Sequence, residues 1–177
     1  PNHDYAGKAA ERLACPVLVN GEVSSAGKAV QLVAETGVHG VMVGRAAIRN
    51  PWIFCQIRQC QAGEPVFRPA LKDIYGYVND LYEAMRDPSI PEGKQVDRMK
   101  KFLNFVGLGV DEEGQFLHQM RRARTQAELF GVCAKFMLEE GRGDLLFPEE
   151  PYPGLLARPN AEGDRKVAKA ELRPCAL

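Results

Sequence analysis

The sequence predicts an α/β segment followed by an all-α one, and three observations carry that expectation. Two short β-branched runs, Pro16–Glu22 (PVLVNGE) and Gly40–Arg45 (GVMVGR), each stop in a glycine and a polar residue. Between them, Ser24–Gly37 sets Ala26, Ala29, Val30 and Val33 at helical spacing. After Phe54 only the helical period recurs. Strand, helix and strand within about 30 residues form a βαβ unit, so the two strands are expected to be parallel. Being apolar on both sides, they are expected inside a sheet covered by helices rather than at a solvated edge.

Taken in order, residues 1–15 offer the end of a helix at Lys8–Leu13 that delivers the chain into the first strand. Ser24 or Ser25 can cap the helix between the strands, and Gly37 can close it in the left-handed conformation. Asn50-Pro51 reads as N-cap and first residue of a short helix carrying Trp52, Ile53 and Phe54 and continuing through Cys55–Gln61. Gly63–Pro69 is a connector. Ala70–Arg86 follows with Leu71, Ile74, Val78, Leu81, Tyr82 and Met85 on one stripe, and Asp87-Pro88 stops it. Lys94–Val106 places Met99, Phe102, Leu103 and Val106 on one face, and Gly107 and Gly109 are read as breakers. Glu112–Arg124 is expected to be helical around Phe116, Leu117 and Met120. Thr125-Gln126-Ala127-Glu128 is a capping-box sequence that opens a last helix to about Glu140, closed by Gly141.

Four amphipathic helices with short links read as a small bundle of about 70 residues. The expected organisation is therefore residues 1–62, 63–141 and a tail over 142–177. The tail is rich in proline and lacks periodicity, so it is expected to be disordered, although Leu145, Leu146, Phe147 and Tyr152 can pin its first part to the bundle.

A chain of 177 residues with no net charge carries no global attraction to nucleic acid or membrane, so any basic surface must be local. No apolar stretch is long enough for a membrane span, and no membrane partner is expected. The cysteines, Cys15, Cys55, Cys60, Cys133 and Cys175, are odd in number and scattered without a C-x-x-C pair, which fits free thiols in a reducing cytosol. No metal site is expected, because His3, His39 and His118 are far apart and lack ligand spacing.

Two consecutive parallel strands with glycine at both carboxyl ends suggest an anion site, as after the seventh and eighth strands of (β/α)8 barrels. Glycine lets backbone N–H groups approach phosphate oxygens, and a helix start adds partial positive charge. Arg45 brings a full charge and a forked donor set. The pattern alone also admits two ordinary turns that happen to end in glycine. A dinucleotide G-x-G-x-x-G follows neither strand. Two parallel strands cannot close a barrel, so the chain is expected either to be the C-terminal part of a longer enzyme or to need a partner.

At PVLVNGEVSS and VMVGRAAIRNPWIF the chain resembles the end of the barrel in tRNA-dihydrouridine synthases. The resemblance implies strands 7 and 8 of a TIM barrel followed by a helical tRNA-binding domain. It implies Asn20, Gly21, Glu22, Gly44 and Arg45 as contacts of the FMN phosphate. Glu22 stands where most of the family has Asp; its side chain is expected to orient the turn while its backbone N–H binds. The implied activity is reduction of uridine in tRNA to dihydrouridine, with FMN recharged by NADPH. The family's proton-donating cysteine and the Lys and His beside the flavin lie on earlier strands. No catalytic residue is assigned here, and the chain alone is expected to be inactive. Other FMN barrels acting on small metabolites share the Gly-Arg turn but usually lack the bundle. A non-catalytic RNA-binding module derived from such an enzyme is the remaining alternative.

Across Lys94–Arg124 seven basic residues face four acidic ones in a chain that is neutral overall. Arg98 and Lys101 lie one helical turn apart, beside the apolar stripe, so both can reach one phosphate track. With Arg121 and Arg122 they are the candidate RNA contacts; solvated charge is the plainer reading. Trp52 and Phe54 are expected to pack the short helix against the barrel. A cytoplasmic monomer is expected.

Overall fold

The computed structural model describes residues 3–21 and 23–152. The chain opens with helix α1 (Asp4–Arg12), strand β1 (Leu18–Asn20), helix α2 (Ala26–Thr36) and strand β2 (Gly40–Met42). The strands are parallel, with Leu18 opposite Gly40, Val19 opposite Val41 and Asn20 opposite Met42. Ser25 caps α2 by accepting a hydrogen bond from the Lys28 N–H at 3.3 Å, and Gly37 ends it at φ 66°. Val19, Val23, Ala29, Leu32 and Val38 form a small core under the sheet.

Only one face of this sheet is covered. Leu18 remains 64% exposed and Met42 49% exposed, against the expectation of strands enclosed on both sides. The reason is the strand count: the core under this two-stranded sheet is filled by Ala6 and Ala10 of α1, Ala29, Leu32 and Val33 of α2 and Ile57, and Leu18 and Met42 are not part of it.

After β2 the chain departs from the expected short helix at Asn50. Helix α3 (Arg45–Arg49) starts directly at Gly44, and α4 (Ile53–Ala62) follows a turn at Asn50–Trp52. Asn50 is not the N-cap of α4, which is Trp52, but the C-cap of α3, and its side chain braces the turn between the two helices. Its Oδ1 accepts from the Trp52 N–H at 3.2 Å while its amide donates to Gln56 Oε1 at 2.7 Å. Gln56 in turn donates to the Phe67 carbonyl at 2.8 Å, which pins the connector.

The larger core belongs to the helices α5 (Leu71–Met85), α6 (Glu92–Val106), α7 (Gln115–Met120) and α8 (Gln126–Met137). Leu71, Ile74, Val78 and Tyr82 of α5 meet Val96, Met99, Leu103 and Val106 of α6 and Leu129, Cys133 and Met137 of α8. Helix α6 starts two residues earlier than expected. Helix α7 is about half the predicted length, because Asp111–Gly114 forms a turn instead of a first helical turn. There Asp111 Oδ2 accepts from the Phe116 N–H at 3.1 Å, and Gly114 takes φ 77°. The capping box of α8 forms as read, with Thr125 Oγ1 accepting from the Glu128 N–H at 3.2 Å. The helix ends at Met137, and a 3₁₀ stretch, Glu139–Asp144, turns at Glu140 and Gly141, both at positive φ.

Gly107 and Gly109 end the helix as expected: α6 stops at Val106 with Gly107 as its C-cap, and Gly107–Gly109 forms a 3₁₀ turn in which both glycines are buried because neighbours occupy the space of a side chain. A Cβ at Gly107 would lie 2.9 Å from Phe116 Cδ1, and one at Gly109 2.5 Å from Phe147 Cζ.

The first part of the expected disordered tail is built into the fold. Leu146 forms an antiparallel bridge with Ala70; the Leu71 N–H donates to the Leu145 carbonyl at 2.9 Å and the Phe147 N–H to the Pro69 carbonyl at 2.8 Å. Of the residues expected to pin it, Phe147 is buried and Tyr152 is half-buried, whereas Leu145 and Leu146 stay exposed and are held through their backbones. Residues 153–177, including Cys175, lie outside the described part. No helix among the described residues is long and apolar enough to cross a membrane.

Candidate functional site

Register decides where the two glycine turns sit. Asn20 pairs with Met42, so both strands end at the same edge, and Asn20-Gly21 and Val43-Gly44 leave it side by side. Gly21 has φ 129°, in the region that favours glycine. Gly44 is the N-cap of α3, and a Cβ there would meet no atom within 4 Å. The chain's own packing thus leaves open space at this turn. Asn20 and Arg45 are both exposed at the same edge. Glu22 lies outside the described residues.

The turns are therefore brought together, with an amide, a guanidinium and open backbone on one side of the sheet. Such a set can bind an anion and has no group suited to nucleophilic or proton-transfer work. Cys133, the one fully buried thiol among the described residues, sits in the helical core, where burial pushes its pKa up to about 12 and leaves it inert. His39 is exposed before β2, and its Nδ1 accepts from the Val17 N–H at 3.2 Å.

Trp52 does not pack toward the sheet. Its ring meets Phe67 edge-on at 5.7 Å and Tyr77 of α5 at 6.2 Å, joining α4 to the bundle. Phe54 is 49% exposed and lines a groove beside β2 with Val41, Ile57 and Arg58. Trp52 thus faces the bundle, while Phe54 shares its groove with Val43, next to Gly44.

The four candidate RNA contacts separate into two kinds. Arg98 and Lys101 are exposed on α6 and line a groove of about 520 Å³ with Lys94, Asp97 and the Ser89–Pro91 loop. Asp97 is paired with Lys100 at 3.1 Å, so the groove keeps a cationic excess. Arg121 instead donates from Nε to Asn104 Oδ1 at 2.9 Å, one turn beyond Lys101 on α6. Arg122 folds back, donating from Nη1 to the His118 carbonyl at 3.0 Å. Arg98, Lys101 and the Asn104–Arg121 pair thus follow one line along α6, which Arg122 does not extend.

Sequence reasoning passed over Arg49. Only 4% exposed, it reaches from the end of α3 to the chain's last described segment. Nη1 donates to the Glu149 carbonyl at 2.7 Å and Nη2 to the Glu150 carbonyl at 3.0 Å; Nη2 also meets the Pro148 carbonyl. Its guanidinium lies 4.5 Å from the centre of the Phe147 ring. Burial pulls its pKa down to about 10, so it is still a cation at neutral pH, with Glu150, Tyr152 and Glu149 acting in the opposite direction. No periodic pattern marks such a residue; an arginine inside a short apolar helix was the available sign.

The chain is similar to known proteins over the part that carries the glycine turns and most of the bundle. The family model described as Dihydrouridine synthase (Dus) matches residues 5–134. A probable tRNA-dihydrouridine synthase of Helicobacter pylori strain J99 is 51% identical over 125 residues, covering 70% of this chain and 31% of the relative. A tRNA-dihydrouridine synthase B of Xanthomonas campestris pv. campestris is 49% identical over 118 residues, covering 64% and 34%. A probable tRNA-dihydrouridine synthase of Rickettsia conorii is 28% identical over 114 residues, again covering 64% and 34%. The chain spans about a third of the length of these curated relatives.

Proposed function

The chain belongs to the dihydrouridine synthase family, and from that premise we propose that it forms the last two βα units of an FMN-binding (β/α)8 barrel together with its helical tRNA-binding unit. The activity proposed for the whole protein is reduction of uridine in tRNA to 5,6-dihydrouridine with NADPH. The observation that carries the reading is the juxtaposition of Asn20-Gly21 and Gly44-Arg45 at one end of a parallel strand pair. The exposed Leu18 and Met42 support it, since neighbouring barrel strands would cover an apolar sheet face.

The turns fit a phosphate. Open space at Gly44 lets the backbone approach, Asn20 offers an amide donor, and Arg45 a charge-assisted fork. The backbone N–H groups of Gly21 and Glu22 complete the proposed cradle. When bound, the flavin supplies the hydride chemistry. This chain's residues bind the phosphate end and fix the orientation of the group, and none of them is assigned to move a proton. Arg98, Lys101, Arg121 and Arg122 are proposed to meet RNA phosphates, with Arg122 the weakest member on geometry.

The test compares FMN with riboflavin, which lacks the phosphate, on the apo form of the full-length protein. Arg45→Ala is expected to weaken FMN by roughly 10- to 150-fold, the loss of a charge-assisted contact of about 1.5–3 kcal/mol. Riboflavin affinity should not change. Equal FMN affinity in variant and parent would remove Arg45 from the phosphate site.

A further inference from the structure

The family match ends at residue 134, yet the chain runs on from α8 back to the two glycine turns. Residues 145–152 form a strap. It is pinned at one end by the Ala70–Leu146 bridge and buried Phe147, and at the other by the Tyr152 N–H donating to the Leu108 carbonyl at 2.9 Å. Between these anchors, Glu150 makes two contacts with different parts of the molecule. Its backbone carbonyl accepts from Arg49 Nη2 at 3.0 Å, at the end of α3, five residues after Gly44. Its carboxylate lies 3.2 Å from Lys28 Nζ, in the first turn of α2, near Ser24 and Ser25 just after the Asn20-Gly21 turn. Helix α2 has no acidic residue of its own in that turn, so the strap supplies the negative charge that a helix start favours. Burial pushes the Glu150 carboxyl up, but the hydrogen bonds from Ser24, Lys28 and Ser25 and the charge of Lys28 outweigh it and hold the group below its ordinary value.

One residue thus joins the two helices whose starts carry the glycine turns. The turns are otherwise related by a strand ladder only three residue pairs long and by the small core in which Val23 and Val43 pack. Small shifts between paired donors are costly for an anion held by both, because each hydrogen bond weakens steeply with distance and angle.

We propose that Glu150 is a positioning residue for the phosphate cradle, acting through the strap 145–152 to hold the start of α2 against α3; this rests on the phosphate reading of the two turns. The full-length protein tests it through the affinity of the apo form for FMN and for riboflavin, alongside the thermal midpoint. Glu150→Ala should weaken FMN about fivefold and leave riboflavin unchanged, because only the phosphate end feels the turns. Glu150→Gln should recover part of the loss, since its amide oxygen can still accept from the Lys28 ammonium. Combining Glu150→Ala with Lys28→Ala should cost no more than the larger single effect, as expected when two residues act through one contact. A parallel fall in FMN and riboflavin affinity would mean general loosening and overturn the proposal. So would unchanged FMN affinity in Glu150→Ala while Arg45→Ala loses it. If Arg45→Ala itself leaves the FMN-to-riboflavin ratio unaltered, the phosphate reading fails and the role of Glu150 fails with it.

Discussion

Gly109 shows how much of this molecule hangs on single positions. It sits where Phe147 and the Arg49 guanidinium converge on the 3₁₀ turn after α6. An added methyl would lie 2.5 Å from the Phe147 ring and 2.9 Å from Arg49 Nη2, so both must move. Gly109→Ala is therefore expected to destabilise the chain by about 1–3 kcal/mol through overpacking. Urea denaturation measures the loss. Hydrogen exchange should locate it, with the Phe147 and Tyr152 amides losing protection before those of α5. An unchanged midpoint would show that the strap tolerates displacement. Arg45 differs in kind: exposed and outside the core, it should cost affinity when removed and little stability.

Among the elements, those with a local cause were readable from sequence. Helix α2 announces itself through Ser25 and Gly37, α5 and α6 through apolar stripes, and α8 through Thr125 and Glu128. What escaped depended on contacts distant in the chain. The strap has no period because its hold is largely through its backbone, including carbonyls accepting from Arg49, about 100 residues away in sequence. Helix α7 was overextended because Glu112 and Glu113 resemble a first helical turn, whereas positive φ at Gly114 starts the helix only there. The glycine turns were legible as a pair, since their meaning lies in strand ends that a βαβ unit must bring together. The capping box offers a check at this scale. Glu128 Oε2 accepts from the Arg124 N–H at 2.6 Å and the Thr125 N–H at 3.4 Å, and these bonds lower its carboxyl pKa below the ordinary value. Its stabilising effect is full above the unfolded-state pKa and fades as pH falls through the lowered folded value. Thr125→Ala should cost about 1 kcal/mol at neutral pH. Glu128→Gln should keep the cap at neutral pH and flatten the acid end of the stability profile. Thermal midpoints between neutral and acidic pH measure both, and an unaltered acid slope in Glu128→Gln would contradict the assigned bonds.

Across the whole molecule, two cores meet at one seam. Trp52 packs on Tyr77, the Tyr77 hydroxyl donates to the Ile48 carbonyl at 3.0 Å, and Arg49 locks the strap over the joint. A seam built this way carries the position of the turns into the bundle, so the cationic line on α6 keeps a defined relation to the proposed phosphate cradle. Lys94, Arg98 and Lys101 are gathered at one groove while the chain as a whole carries no net charge. The attraction to tRNA proposed for this edge should behave as counterion release does. Replacing Arg98 and Lys101 together by Glu is expected to remove most tRNA binding by the chain, leaving its helical content intact because both side chains are exposed. Each phosphate no longer neutralised should flatten the dependence of log affinity on log salt by about 0.7–0.9. Loss of both contacts therefore predicts a change in slope of roughly 1.4–1.8. Arg122→Ala, whose guanidinium is turned onto the His118 carbonyl, should flatten that slope less than the loss of either α6 residue. Fluorescence anisotropy titrations of tRNA at several salt concentrations, with circular dichroism as the folding control, read both quantities. A folded double variant with the parent's slope would place the RNA contacts on another face, since no lesser number of lost charges on α6 can be reconciled with an unchanged counterion count.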